Sequence, residues 1–225
     1  MKQKQKTRVP VKKKKIENTA MSHRVPLILF LLLLVLSIWS FISPHDMQVW
    51  WTEMASVFLL VGALVATYGR FRFSNTAYLC MWLWCAMQII GAHYTFEYVP
   101  FDTVTRLFGF ERNHYDRVAH FVVGLGSIAI AELLWKRRMV NGLGTAAWFS
   151  VVFMLAIAGI WELVEWIYAE VDGGDAGQAF LGAQGDIWDA QKDMMLDTLG
   201  AILAAVLFYM RNRKSAVPSA PGEIP

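Results

Sequence analysis

The sequence predicts an all-α polytopic membrane protein, a bundle of six transmembrane helices with both termini in the cytoplasm. Three observations lead there: a composition too apolar for water, six long apolar runs, and basic residues confined to alternate loops. Of 225 residues, 56% are apolar and 17% charged, against about 25% charged in an average soluble domain. Mean hydropathy is +0.38, with ten Trp, fourteen Phe and eleven Met. A disordered chain, a collagenous one and a small disulfide-stapled domain are excluded on composition. A soluble enzyme is disfavoured.

Residues 26–43, PLILFLLLLVLSIWSFIS, carry no charge and are long enough to cross a hydrocarbon core of about 30 Å. A second run covers residues 54–68, extended outward by Trp50 and Trp51, and a third covers 76–92. The fourth, 118–135, is interrupted by Gly124, Gly126 and Glu132; the fifth and sixth cover 145–168 and 194–210. Continuous apolar runs select helices over a barrel, whose strands alternate. The first run is an anchor and not a cleaved signal peptide. Its basic lead is long, and Trp39, Phe41 and Pro44 replace the small residues a cleavage site needs. The chain therefore divides into a basic cytoplasmic tail (1–25), a transmembrane domain (26–210) and a short cytoplasmic tail (211–225).

Charge supplies the orientation. Nine Lys and Arg precede the first span; Arg70 and Arg72, then Lys136, Arg137 and Arg138, then Arg211, Arg213 and Lys214 follow in alternate loops. These are 17 of the 21 basic residues, and the other loops hold only Arg106, Arg112, Arg117 and Lys192. The positive-inside rule puts the 17 in the cytoplasm. The N-terminal tail then reads as a topology anchor on anionic lipid and not as a nucleic-acid arm. Met21 offers a second start. Cys80 and Cys85 lie about 140° apart on a helix and read as buried thiols.

The acidic residues have the opposite bias. Only Glu17, Glu132 and Glu223 of 18 fall on the cytoplasmic side. At the outer ends of the spans they form helical pairs. GAHYTFEYVP carries His93 and Glu97 at i, i+4, and ERNHYDRVAHF carries Asp116 and His120 at i, i+4 with Arg112 one turn earlier. WELVEW carries Glu162 and Glu165 at i, i+3. In QGDIWDAQKDMMLDTLGA, Asp186, Asp189, Asp193 and Asp197 fall near about 0°, 300°, 340° and 20° on a helical wheel. Ionisable groups at that depth are expensive unless paired or hydrated, so four converging stripes predict one polar pocket in the outer leaflet. Each pair also has a structural reading: a helix-end hydrogen bond, a bridge from Glu162 or Glu165 to Arg112 or Arg117, or Asp186 as an N-cap.

So many carboxylates need compensating charge, from the basic residues, from protons or from a divalent metal. Mixed His and carboxylate ligands suit Zn, Mn or Fe. The metal-ligand candidates are His93, His120, Glu162, Asp189 and Asp193, with Glu165 or Asp116 as general base. The tryptophans Trp50, Trp51, Trp161, Trp166 and Trp188 read as an aromatic belt. The Gly-rich segment VDGGDAGQAFLGAQ, residues 171–184, reads as a lid or a flexible connection, and lacks the ligand spacing of an EF-hand.

The four segments GAHYTFEYVP, ERNHYDRVAHF, WELVEW and QGDIWDAQKDMMLDTLGA together resemble the YjdF-like bacterial inner-membrane family, over residues from about 25 to 211. The resemblance implies a multi-pass inner-membrane protein and no particular reaction. Two function classes follow from the residues. One is a metal-assisted hydrolase or transferase acting on a lipid or small polar substrate at the periplasmic leaflet. The other is a cation, proton or small-solute carrier, or an accessory membrane protein whose polar cluster fixes helix packing. P-loop, GxGxxG, HExxH and GxSxG motifs are absent from the sequence, as is a lipid-phosphatase pattern.

Overall fold

The computed structural model describes residues 24–172 and 183–213. They form α1 (Arg24–Phe41), α2 (Met47–Thr67), α3 (Asn75–Tyr94), a short α4 (Asp102–Phe108), α5 (Tyr115–Gly124), α6 (Ser127–Lys136), α7 (Leu143–Asp172) and α8 (Asp189–Asn212). All regular structure among the described residues is helical. Five stretches are long and apolar enough to cross a membrane: α1, α2, the α5–α6 rod, α7 and α8. Between them lies α3, with twenty residues, which packs on α1, α2, α5 and α6. It carries Gln88 and His93 and no Asp, Glu, Lys or Arg.

The spans begin further out than hydropathy indicates. Helix α2 starts at Met47 and not near residue 54, because the Asp46 carboxylate accepts from the N–H groups of Gln48 (2.7 Å) and Val49 (2.9 Å). Those are donors that a helix start otherwise leaves unpaired. Helix α8 starts at Asp189 and not near 194. Both extensions bring charged residues into regular helix. At the other boundary α3 ends at Tyr94, just past the apolar run and before Glu97. Thr95 and Phe96 turn left-handed, with φ of 52° and 55°, and Phe96 folds its ring back over Gly91. A Cβ at Gly91 would lie 2.4 Å from that ring. His93 and Glu97 therefore do not share a helical face as their spacing predicted.

Large apolar side chains such as Leu31, Val35, Leu155 and Ile160 point outward, and many of the fully buried residues are small, Ala77, Ala131, Ala146, Ala201, Ser127 and Ser150 among them, beside Met54, Ile89 and Phe208. Lipid is as apolar as Leu, so helices gain by close backbone approach instead of by burying grease. The tightest approach joins α5 to α8. A Cβ on Gly200 would sit 2.1 Å from the Phe121 carbonyl oxygen, and one on Gly124 2.2 Å from that of Asp197. Only glycine permits this crossing. Just beyond it the rod tightens, with Leu125 and Gly126 donating to carbonyls three residues back. The crossing sets His120, one turn before Gly124, beside Asp197.

Candidate functional site

The site is assembled from α5 and α8, with α7 and α2 beside them. On α8, Asp189, Asp193 and Asp197 follow at four-residue intervals, each about 6 Å further along the axis. All three are buried. On α5, Asp116 and His120 run alongside in the same direction, with Arg117 level with Asp189 and Gly124 with Gly200.

At the deepest level the His120 Nδ1 faces Asp197 at 3.3 Å, and its Nε2 lies 3.6 Å from the Asp116 carboxylate. A carboxylate on one ring nitrogen fixes the tautomer and leaves the other nitrogen to its task. One level outward, Asp116, His120 and Asp193 each offer a ligand atom, and these atoms all lie within 4.8 Å of one another. Asp193 is only 3% exposed, and its Oδ1 has no hydrogen-bond partner among the described residues; nor does the Glu162 Oε1. Glu162 and Glu165 of α7 lie within electrostatic reach of His120 and Asp116.

At the outermost level the carboxylates are paired. Arg112 Nη1 donates to Asp186 (3.1 Å) and Asp189 (3.2 Å). Arg117 Nη2 donates to Asp189 at 3.3 Å and also to Asp186, and Lys192 Nζ to Asp186 at 2.6 Å. Asp186 also accepts from the Trp188 N–H at 3.1 Å. It closes the turn ahead of α8 and is not the helix N-cap, a position held by Trp188. Asn113 straps this rim together: its N–H and carbonyl exchange hydrogen bonds with the Gln184 amide, and its Nδ2 donates to the carbonyls of Glu97 and Val99. The Asp186 carboxyl is held below the usual carboxylate range, first by Lys192, then by the Trp188 N–H. The His114 imidazole is pushed down, by burial first and then by the charges of Arg117, Arg112 and Lys192.

The predicted residues thus separate. Asp116, His120 and Asp193 come together, with Glu162 and Glu165 nearby. Asp189 goes to the two arginines, which take Asp186 and Asp189 as ion-pair partners instead of Glu162 and Glu165. His93 does not join the group; its Nδ1 meets the Ser40 carbonyl at 2.9 Å, and its ring lies against Trp39. Trp51, Trp166 and Trp188 are exposed as a belt requires. Trp50 is buried and donates to Ser40 Oγ at 2.9 Å, a departure from the belt reading. Residues 173–182 of the predicted lid, and the terminal tails 1–23 and 214–225, lie outside the described residues.

One group escaped the sequence reading. Glu53 of α2 is 5% exposed, accepts from Gln88 Nε2 at 2.6 Å, and lies within electrostatic reach of Asp116 and His120. The signal was there: a lone carboxylate in a 21-residue apolar helix. Starting that span at residue 54 placed Glu53 in a loop.

Helices throughout the described residues, five stretches of them long and apolar enough to cross a membrane, with a charged centre buried among them, define a polytopic membrane protein. The chain belongs to the family described as "Predicted membrane protein (DUF2238)", which matches residues 25–214. It is 36% identical over 183 residues to "Inner membrane protein YjdF" of Escherichia coli (strain K12), covering 80% of this chain and 87% of that protein. The resemblance carried by the four polar segments holds at that level. No solved structure matches.

Proposed function

We propose that the protein is a metal-dependent hydrolase or transferase of the bacterial inner membrane, with six spans, both termini cytoplasmic, and its reacting centre in the periplasmic leaflet. The six-span count takes α3 as a span, and the division of 17 basic residues against four supports the orientation. The observation that carries the centre is Asp193, whose buried Oδ1 has no hydrogen-bond partner among the described residues and whose carboxylate lies with the Asp116 carboxylate and the His120 ring in a group of ligand atoms all within 4.8 Å of one another. A buried polar atom left unpaired is costly, and a cation offsets that cost.

Asp116, His120 and Asp193 would hold a divalent ion, and Asp197 would position the His120 ring. Such an ion brings the pKa of a bound water down to about 7. Glu162, with its own unpaired oxygen, is placed to take the proton, with Glu165 beside it. The substrate is a lipid or a small polar molecule reaching the outer rim.

The test is metal content of the full chain purified in detergent, measured by mass spectrometry. Wild type should carry about one divalent ion per chain, and Asp193→Asn and His120→Ala should lose it while Glu165→Gln keeps it. Wild type without stoichiometric metal overturns the reading. A carrier reading draws on Glu53 and Gln88, which extend the polar path onto α2 and α3; ion flux into proteoliposomes, lost in Glu53→Gln, would support it over the enzyme.

A further inference from the structure

Helices α1 and α2 are joined at one end only. There Trp50 of α2 donates to Ser40 Oγ of α1 at 2.9 Å, and its ring stands edge-on to Phe41. Otherwise each packs on α3 and not on the other. A groove of about 390 Å³ lies between them, and no charged residue lines it. Its lining runs from Pro26 to Leu33 on α1, from Val61 to Tyr68 on α2 and from Tyr78 to Cys85 on α3. Each stretch spans about 10 Å of helix, against about 15 Å for one leaflet of the hydrocarbon core. The floor is buried, with Cys85 1% and Met81 6% exposed. The walls are open, with Val65 61% and Leu27 57% exposed. An apolar trench that opens on lipid takes a hydrocarbon chain and nothing charged.

The mouth of the groove has the opposite character. The Arg72 guanidinium lies 5.0 Å from the centre of the Tyr68 ring, and Arg24 begins α1 two residues before Pro26. The Arg70 carbonyl accepts from Arg137 Nη2 at 2.6 Å, Lys136 and Arg137 lie over the Phe71 ring, and Arg211 Nη1 donates to Thr76 Oγ1 at 2.8 Å. Against these cations stands a single acid among the described residues of that end, Glu132, and it is paired with Lys136. Arg24, Arg70 and Arg72 are exposed. Basic side chains at a membrane surface attract anionic headgroups. A chain-sized groove with a cationic mouth is complementary to a lipid that has both parts. A zwitterionic lipid gains the groove without the charge, and a soluble anion gains the charge without the groove.

We propose that this groove binds one anionic phospholipid from the leaflet on the basic side of the bundle. An acyl chain lies along α3 between α1 and α2, and the headgroup is held at Arg72 and Arg24. The site is independent of the metal reading. The groove follows the second half of α2, whereas Glu53, which reaches Asp116 and His120, lies near that helix's start.

The experiment uses the full chain in a neutral detergent, stripped of co-purified lipid. It is titrated with phosphatidylglycerol and with phosphatidylcholine of the same chains. Bound lipid is counted by native mass spectrometry, and thermal unfolding is followed alongside. Wild type should bind phosphatidylglycerol in preference and melt higher with it. Arg72→Gln should lower that preference about fivefold, the worth of one cation at a membrane surface, and leave phosphatidylcholine binding as it is. Val65→Trp, which brings a ring into the groove from an exposed wall, should weaken both lipids. Leu155→Trp, on an exposed face of α7, should bind as wild type. Glycerol phosphate, which has the charge and no chains, should not displace the lipid. Equal binding of the two lipids to wild type overturns the proposal, as does displacement by glycerol phosphate. So does wild-type binding in Arg72→Gln and Val65→Trp variants that melt as lipid-free wild type, or an equal loss in Leu155→Trp. A dimer that Val65→Trp dissociates also overturns it, since a second copy of the chain would then fill the groove.

Discussion

Two buried carboxylates at opposite ends of the bundle have nearly the same burial and opposite surroundings. Glu132 of α6 is 5% exposed, and its Oε2 accepts from the Ser74 N–H at the start of α3 and from Lys136 Nζ, both at 2.9 Å. Ser74 in turn caps α3 through the Ala77 N–H. Asp193 of α8 is 3% exposed and keeps an oxygen without a hydrogen-bond partner among the described residues. Glu132 is paired with one neighbouring helix start and one cation, so its charge serves the fold. Asp193 sits among further acids and a histidine, where the fold leaves an acceptor open. Burial alone does not separate a structural acid from a functional one. The state of its hydrogen bonds does.

Substitutions can break that contrast, beginning with the crossing that makes the open site. Gly200→Val places a branched side chain against the Phe121 carbonyl, where even a Cβ would lie 2.1 Å away. The α5–α8 contact must part, at about 3 kcal/mol or more. Thermal unfolding in detergent should show the largest drop of any variant here, with loss of bound metal. A wild-type melting point would mean the two helices do not touch there. Glu132→Ala should cost about 2 kcal/mol, because it orphans the Ser74 N–H, and should leave metal content intact.

Asp193→Asn sharpens the comparison from the other side. It removes a buried, incompletely paired charge, so the metal-free protein should melt at or slightly above the wild-type temperature while metal is lost. A stability loss as large as that of Glu132→Ala would place Asp193 in the structural class. The smallest effects are in pH. Asp186 is held below its unfolded value of about 3.9, chiefly by Lys192. The stability it adds is therefore complete above about pH 4 and is lost only as pH falls through the depressed folded value. The melting difference between wild type and Asp186→Asn should stay constant from about pH 8 to pH 5 and shrink below pH 4. His114 has the same sign for a different reason. Its folded value is lowered, so the unfolded chain binds the proton first and stability declines as pH drops below about 6.5. His114→Asn should flatten that limb.

Local periodicity carried much of the molecule. The apolar runs located α1, α2, α3, α7 and α8, and the i, i+4 spacing of Asp116 with His120 and of Asp189, Asp193 and Asp197 set each acid on its helix face, because both signals depend on residues within a turn or two. Helix ends were less legible. Asp46 extends α2 outward and the left-handed Thr95 and Phe96 end α3 before Glu97, which changed the standing of Glu53 and Glu97. Partner choice was decided by tertiary structure alone. Arg112 meets Asp186 across 74 residues and His120 meets Asp197 across 77. Several outer acids of suitable spacing competed for each cation, and the glycine crossing of α5 and α8 determined which came within reach. A hydrophobic pattern states how deep a residue sits; only packed helices state what it faces.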